Sequence, residues 1–259
     1  MNDIHPSATL GQSVTIGSFV TIQADVVIGD GTYIGPHVTI MSGSRIGKNC
    51  QIFSGAVIGA VAQDRKSAAL NTYVEIGDYT VIREFVTINR GTFGNTVIGS
   101  YVLLMAYVHV AHDCTIEDHV TVTNATQLAG HVQLHHHSVI GGMAAIHQFM
   151  RVGAYSMVAS KSIVRKDVPP FIKVAREPLC YCGINFVALQ RHGFTKEQCK
   201  SICHSYFLIY QSQLLLPLAL GEVEQRVGHT QEKEMILSFI RSSHRGIVKK
   251  IMCSSQDLI

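Results

Sequence analysis

A chain of 259 residues, 47% apolar and 15% charged, has ample material for a core, and its formal charge of +3 gives no reason to expect nucleic acid as a partner. The longest apolar run, Leu214 to Leu220, falls far short of the roughly 18 residues of a membrane-spanning helix and is broken by Pro217, so no membrane span is expected. The opening Met-Asn-Asp-Ile-His-Pro lacks the basic and apolar stretches of a secretory signal, so a cytoplasmic protein is expected, with its seven cysteines as free thiols because none forms a C-x-x-C array.

From the first residues onward the chain repeats. Aliphatic residues recur at every sixth position in three runs of ten, three and twelve: Ile4 to Ile58, Ile76 to Ile88, and Ile98 to Val164. No anchor is polar. Six residues suit a short strand and a corner, and three faces close a triangular coil of 18 residues. Each coil then hydrogen-bonds to the next at about 4.8 Å, with the anchors stacked inward. Isoleucine and valine fit such columns because branched side chains pack well on a pleated surface. Glycine follows several anchors (Gly11, Gly17, Gly29, Gly35, Gly47, Gly59, Gly77, Gly99), where a tight corner wants a residue without a Cβ. The pattern predicts an all-β parallel β-helix over residues 1–170. Periodicity alone does not set its hand.

Two breaks in phase predict loops, at residues 59–73 and 90–97, the second carrying four extra residues between Ile88 and Ile98. Loops leaving a rigid coil are where function collects. At Asp167-Val-Pro-Pro170 the prolines should stop the coil, and a C-terminal α-helical domain is predicted over 171–259. Thr195-Lys-Glu-Gln198 reads as a capping box opening a helix to about Gln211, and further helices are predicted over Leu218–Val227 and Glu232–Ser242. These would cover the open strand edge of the last coil.

An 18-residue coil also predicts which side chains lie above one another. Counting faces across the insertion, Arg90, His112, Gly130 and Gln148 share one column, flanked by His109, His131 and His147. Imidazole is a natural general base for a sugar hydroxyl. Asp113 follows His112 and would orient the ring or stabilise the imidazolium, although neighbouring strand residues face opposite ways and such a role needs a corner geometry. A backbone N–H at Gly130 would suit a developing oxyanion. The bland alternative is a set of surface histidines in a chain that holds 14, and the triplet His135-His136-His137 is read that way. Near the coil's end, Arg151, Lys161, Arg165, Lys166, Lys173 and Arg176 form a basic cluster suited to an acidic partner.

Several blocks carry a resemblance. His109-Val-Ala-His-Asp-Cys114, Leu128-Ala-Gly-His131 and Ile140-Gly-Gly-Met-Ala-Ala-Ile-His-Gln-Phe149 resemble UDP-N-acetylglucosamine acyltransferases of the hexapeptide-repeat group. So do Gln63-Asp-Arg-Lys66, Arg83 to Thr92, Gly183-Ile-Asn185 and Arg191-His-Gly-Phe194. The resemblance covers essentially the whole chain. It implies a left-handed β-helix, a homotrimer with active sites between subunits, and no cofactor or metal. It implies transfer of a 3-hydroxyacyl group from acyl carrier protein to the 3-hydroxyl of UDP-N-acetylglucosamine, the first step of lipid A biosynthesis. His112 would be the base, Asp113 its support and Gly130 the oxyanion donor. Asp64 and Lys66 would contact sugar and acyl chain. Gln148 would contact the nucleotide sugar, His109, His131 and His147 would line the cleft, and Ser160 would stand where acyl length is limited. Asn185 and Arg191 would serve the nucleotide. The sequence departs from the family pattern at His192, where a second arginine is usual, at Val187 and at Asn89.

Two other activities fit the repeat. A zinc lyase of the carbonic-anhydrase type would need three converging ligands, with His109, His112 and His131 the candidates. The N-acyltransferase acting later in the same pathway carries an N-terminal uridine-binding domain, for which hexads starting at Ile4 leave no room. A scaffold without activity would leave both loops and the histidine column without purpose.

Overall fold

The structure is a computed structural model and describes residues 1–64 and 71–250. All 25 repeat anchors fall in short strands, most of them two residues long. The strands stack into three parallel sheets of nine, eight and ten strands, one per face of a solenoid. Anchor pairs with anchor along the stack, as in Ile4↔Ile22, Ile88↔Val110 and Leu128↔Ile146. The column of Arg90, His112, Gly130 and Gln148 follows directly from this register. Anchors from Ile22 to Val164 are buried and form one continuous core. Each contributes roughly 1.5–3 kcal/mol by leaving water.

The corners correct one detail of the sequence argument. The left-handed residue of each corner lies three positions after the anchor and is usually not glycine: Tyr79, Tyr101, His119, His137 and Tyr155 have φ of 57° to 60°. The glycines directly after anchors mostly lack that conformation. They are small because the next coil is close: a Cβ on Gly17 would lie 2.7 Å from the Pro36 nitrogen, and one on Gly29 2.7 Å from the Gly47 carbonyl carbon.

The sheet also outruns the two prolines. Ile172–Ala175 joins the ten-stranded sheet in parallel, Val158 opposite Val174, and Cys180–Ile184 then returns antiparallel across a bulge. Pro169 and Pro170 form a corner whose carbonyls accept from Ser156 and Tyr206 hydroxyls. Four helices follow: α1 (Phe186–Arg191), α2 (Lys196–Gln211), α3 (Leu216–Arg226) and α4 (Gln231–Arg241). In α2 the Thr195/Gln198 capping box closes in both directions. The three longer helices lie within two residues of their expected bounds, whereas the short α1 was not anticipated. Asn185 caps it and donates to the Tyr155 carbonyl. No helix among the described residues is long and apolar enough to cross a membrane. Among the described residues, Cys50, Cys114, Cys182, Cys199 and Cys203 are free thiols.

Candidate active site

The nine-stranded face ends at Val110 and the eight-stranded face begins at Thr115, and His112 and Asp113 form the corner between them. Asp113 adopts φ 58°, which turns its side chain back along the corner instead of across the strand. That is how adjacent residues meet: His112 Nδ1 stands 2.7 Å from Asp113 Oδ2. His112 is 8% exposed.

The four-residue insertion supplies the rest of the carboxylate's surroundings. Oδ2 accepts from the Thr92 N–H at 2.9 Å and the Thr92 hydroxyl at 2.7 Å, while Oδ1 accepts from the N–H groups of Phe93 at 3.2 Å and Gly94 at 2.8 Å. Burial alone would raise the Asp113 pKa. The hydrogen bonds from Thr92, Gly94 and His112 outweigh it and hold the carboxyl well below the usual range, ionised at any physiological pH. Sequence reasoning missed Thr92, Phe93 and Gly94. The available signal was the insertion itself, which register places one coil from Asp113.

Gly130 sits one coil beyond His112, and a Cβ there would lie 2.5 Å from His112 Cε1 and 2.6 Å from Nε2. The ring therefore rests on the glycine. The neighbouring N–H groups of Ala129 and His131 bond to Ile146 and His112 carbonyls, whereas among the described residues that of Gly130 bonds to nothing. At equivalent corners a side chain takes this N–H, as Asp30 does for Gln12 and Asp118 for Ser100.

His131 stands edge-on to His112 with centroids 5.1 Å apart, and its Nε2 lies 3.7 Å from Asp113 Oδ2. His109 and His147 line a shallow cavity of about 360 Å³ on the outer nine-stranded face, with Gln127, Ala145 and Ile163. Burial lowers the His109 pKa, and its Nδ1 is 2.8 Å from the Thr87 hydroxyl. Gln148 completes the column, half-buried. Asp64 is at the edge of the first loop, and Lys66 lies outside the described residues.

The remaining candidates occupy other edges. Ser160 is exposed at the corner between the ten- and nine-stranded faces. Arg191 ends α1, and the adjoining His192 packs tilted against His137 and edge-on to Tyr155 at the corner between the eight- and ten-stranded faces. The Asn185 side chain is 4% exposed overall and occupied in capping α1. Asn89 ties the base of the first loop, donating to the carbonyls of Ala60 and Val61. One subunit thus does not gather Arg191 and His112 on one edge.

Of the described residues, one trio brings ligand atoms within 4.8 Å of one another, His112, Asp113 and His131. It suits a metal poorly, since both Asp113 oxygens are already occupied by five hydrogen bonds. His109, expected in the zinc reading, is not part of it.

Residues 167–248 match the family profile described as UDP N-acetylglucosamine O-acyltransferase, domain 2, and residues 7–42, 25–60 and 95–126 match the bacterial transferase hexapeptide repeat. The acyl-[acyl-carrier-protein]--UDP-N-acetylglucosamine O-acyltransferase of Herminiimonas arsenicoxydans is 42% identical, over 95% of this chain and 97% of its own. Among solved structures, the UDP-N-acetylglucosamine acyltransferase of Bacteroides fragilis aligns with a TM-score of 0.94 at 45% identity, covering 96% of this chain and 98% of that one. The corresponding Acinetobacter baumannii protein aligns at 0.92 with 36% identity, over 96% and 98% of the two chains. With the repeat, the helical region and the whole-length identity all pointing one way, the chain belongs to the UDP-N-acetylglucosamine acyltransferase family.

Proposed function

We propose that the protein transfers a 3-hydroxyacyl group from acyl carrier protein to the 3-hydroxyl of UDP-N-acetylglucosamine, opening lipid A biosynthesis. The observation that carries this is the buried His112–Asp113 pair resting on a glycine whose N–H is unused among the described residues. Asp113 accepts from Nδ1–H, which leaves Nε2 as the proton acceptor. As Nε2 takes the sugar hydroxyl's proton, that oxygen adds to the thioester carbonyl. The carbonyl oxygen becomes an oxyanion facing the Gly130 N–H. Collapse breaks the C–S bond, and the imidazolium returns its proton to the departing thiolate. Asp113 stabilises the imidazolium meanwhile and need not itself change protonation.

The spread of Arg191 and His112 over different edges supports a homotrimer in which neighbouring subunits complete each site. Acyl carrier protein as donor would make this a cytoplasmic enzyme. The expected basic docking patch needs revision. Arg151 is occupied by Asp167 and lies over the Phe239 ring, Lys166 donates to the Arg245 carbonyl, and Arg165 pairs with Glu177. Arg165 and Lys166 stay exposed despite these contacts, and Lys161, Lys173 and Arg176 are exposed with no ion pair among the described residues, so these three carry the reading most directly.

Incubation with 3-hydroxyacyl carrier protein and UDP-N-acetylglucosamine, followed by mass spectrometry, should give an O-acylated nucleotide sugar and free carrier thiol. Replacing Lys173 and Arg176 by Glu should raise KM for the donor, an effect that fades with salt, and leave KM for the sugar unchanged. No acyl product from any donor length would refute the activity; an equal rise in both constants would refute the patch.

A further inference from the structure

The four-residue insertion reads as more than a surface loop. It is braced on both sides: the Thr72 hydroxyl donates to the Gly91 carbonyl at 2.6 Å, and Asn95 Oδ1 accepts from the Tyr73 N–H at 3.0 Å. At its far end the Thr96 hydroxyl accepts from the Asp113 N–H at 2.9 Å. Between these braces Thr92 is 1% exposed and points at one atom, Asp113 Oδ2. That oxygen is also the one that holds His112 Nδ1. We infer that Thr92 is a positioning residue of the acyl transfer, fixing His112 through Asp113, so that base, carboxylate and threonine work as a relay spanning two coils.

One carboxylate oxygen, Asp113 Oδ2, takes the Thr92 hydroxyl, the Thr92 N–H and His112 Nδ1 together. The backbone N–H groups of the loop survive any side-chain change. The Thr92 hydroxyl is the sole side-chain donor to the carboxylate apart from His112, among the described residues. Without it, Oδ2 loses the shortest of its loop contacts and keeps only the Thr92 N–H and His112, so the carboxylate is held less firmly and is free to shift toward the loop N–H groups. The imidazole hydrogen bond then lengthens or bends, and the ring loses the setting that holds Nε2 toward substrate. A displacement of about an ångström at a catalytic group is enough to cost on the order of a hundredfold in rate. Substrate contacts made elsewhere on the coil are untouched, so the loss falls on kcat.

This inference rests on the reading of His112 and Asp113 as base and support, and a double-mutant cycle on the full-length protein separates the two. Thr92→Val should lower kcat by about tenfold to a hundredfold with KM for either substrate within about twofold. Thr92→Ser, which restores the hydroxyl, should return kcat to within about threefold of the parent. In an Asp113→Ala background, Thr92→Val should cost nothing further, because its target is gone. Should Thr92→Val not fold, Thr92→Ala carries the same comparison. Equal cost of the Thr92 change in both backgrounds would overturn the relay, as would a loss confined to KM or a serine variant no better than valine. A fully active Asp113→Ala protein would instead sink the underlying dyad.

Discussion

Two buried aspartates, Asp113 and Asp167, sit at corners of the same solenoid and are used in opposite ways. Asp167 is 1% exposed and receives the Arg151 guanidinium at 3.1 Å, the Arg151 N–H at 3.0 Å and the Ser243 hydroxyl at 2.8 Å. Arg151 in turn reaches the Phe239 carbonyl and the Ser242 hydroxyl beside α4, so this carboxylate rivets the helical region to the coil. Asp113 has no lysine or arginine partner among the described residues; neutral donors and two histidines surround it. A carboxylate bound to a buried, permanent cation is costly to remove, because the cation is then left unpaired. One held by neutral dipoles keeps its charge available to a neighbour that changes charge during a reaction.

The largest expected effect is at the partner of Asp113. His112→Ala should lower kcat by about 10²–10⁴ while the fold and assembly survive, since no core volume is lost. Steady-state kinetics beside circular dichroism check it, and more than a third of parental activity would remove His112 from the base role. Next, Asp167→Ala should cost about 3–5 kcal/mol by leaving a buried guanidinium unpaired, with kcat nearly intact in protein that remains folded. Asp113→Asn should reverse that split, losing up to about a hundredfold in kcat because its amide must face loop N–H groups and misaligns His112. Urea unfolding and kinetics on both variants decide whether the contrast holds; matching losses in each assay would break it.

Gly130→Ala gives a smaller effect with a defined origin. The added methyl would meet the His112 ring before any substrate, so kcat should fall more than KM rises, with an overpacking cost of about 1–3 kcal/mol. A change confined to KM would argue for simple exclusion of substrate. The smallest expected effect lies on the next edge. His137 stacks between His119 and Tyr155, and burial, then His192, His119 and His136, push its pKa down to about 4. The unfolded chain therefore binds a proton that the folded one refuses between the ordinary histidine value near 6.5 and about 4, and stability falls as pH drops through that window. His137→Phe keeps the stack and removes the proton site, so its melting temperature should fall less between pH 7 and pH 4.5.

Much of this was legible because a strict hexad converts sequence position into spatial position. Anchors, register and the column through His112 and Gly130 follow from counting. The capping box at Thr195 marked α2 for the same reason, a local rule with a local partner. What escaped was set by contacts remote in sequence or by a single backbone angle. Arg151 looked like a docking residue because Asp167 and Phe239 come together with it only in the fold. Asp113 looked misdirected because alternation predicts opposite faces, and only its left-handed φ turns the carboxylate back. The return strand Cys180–Ile184, paired across a bulge with Ile172–Ala175, shows too little alternation to announce itself.

The coil imposes a metric on anything bound along it. Because neighbouring corners are one interstrand step apart, about 4.8 Å, the backbone positions that carry functional groups on the column can be separated only by whole multiples of that step. His112 and Gln148 stand two steps apart by register, whatever residues occupy the positions between. Selection for a ligand of different length must therefore work in two gears. Whole 18-residue coils would change the reach coarsely, and side-chain size at the corners would adjust the remainder by fractions of a step. Intermediate spacings are closed to this architecture, so related proteins that differ in ligand length should differ in corner side chains far more often than in the number of coils separating the same two groups.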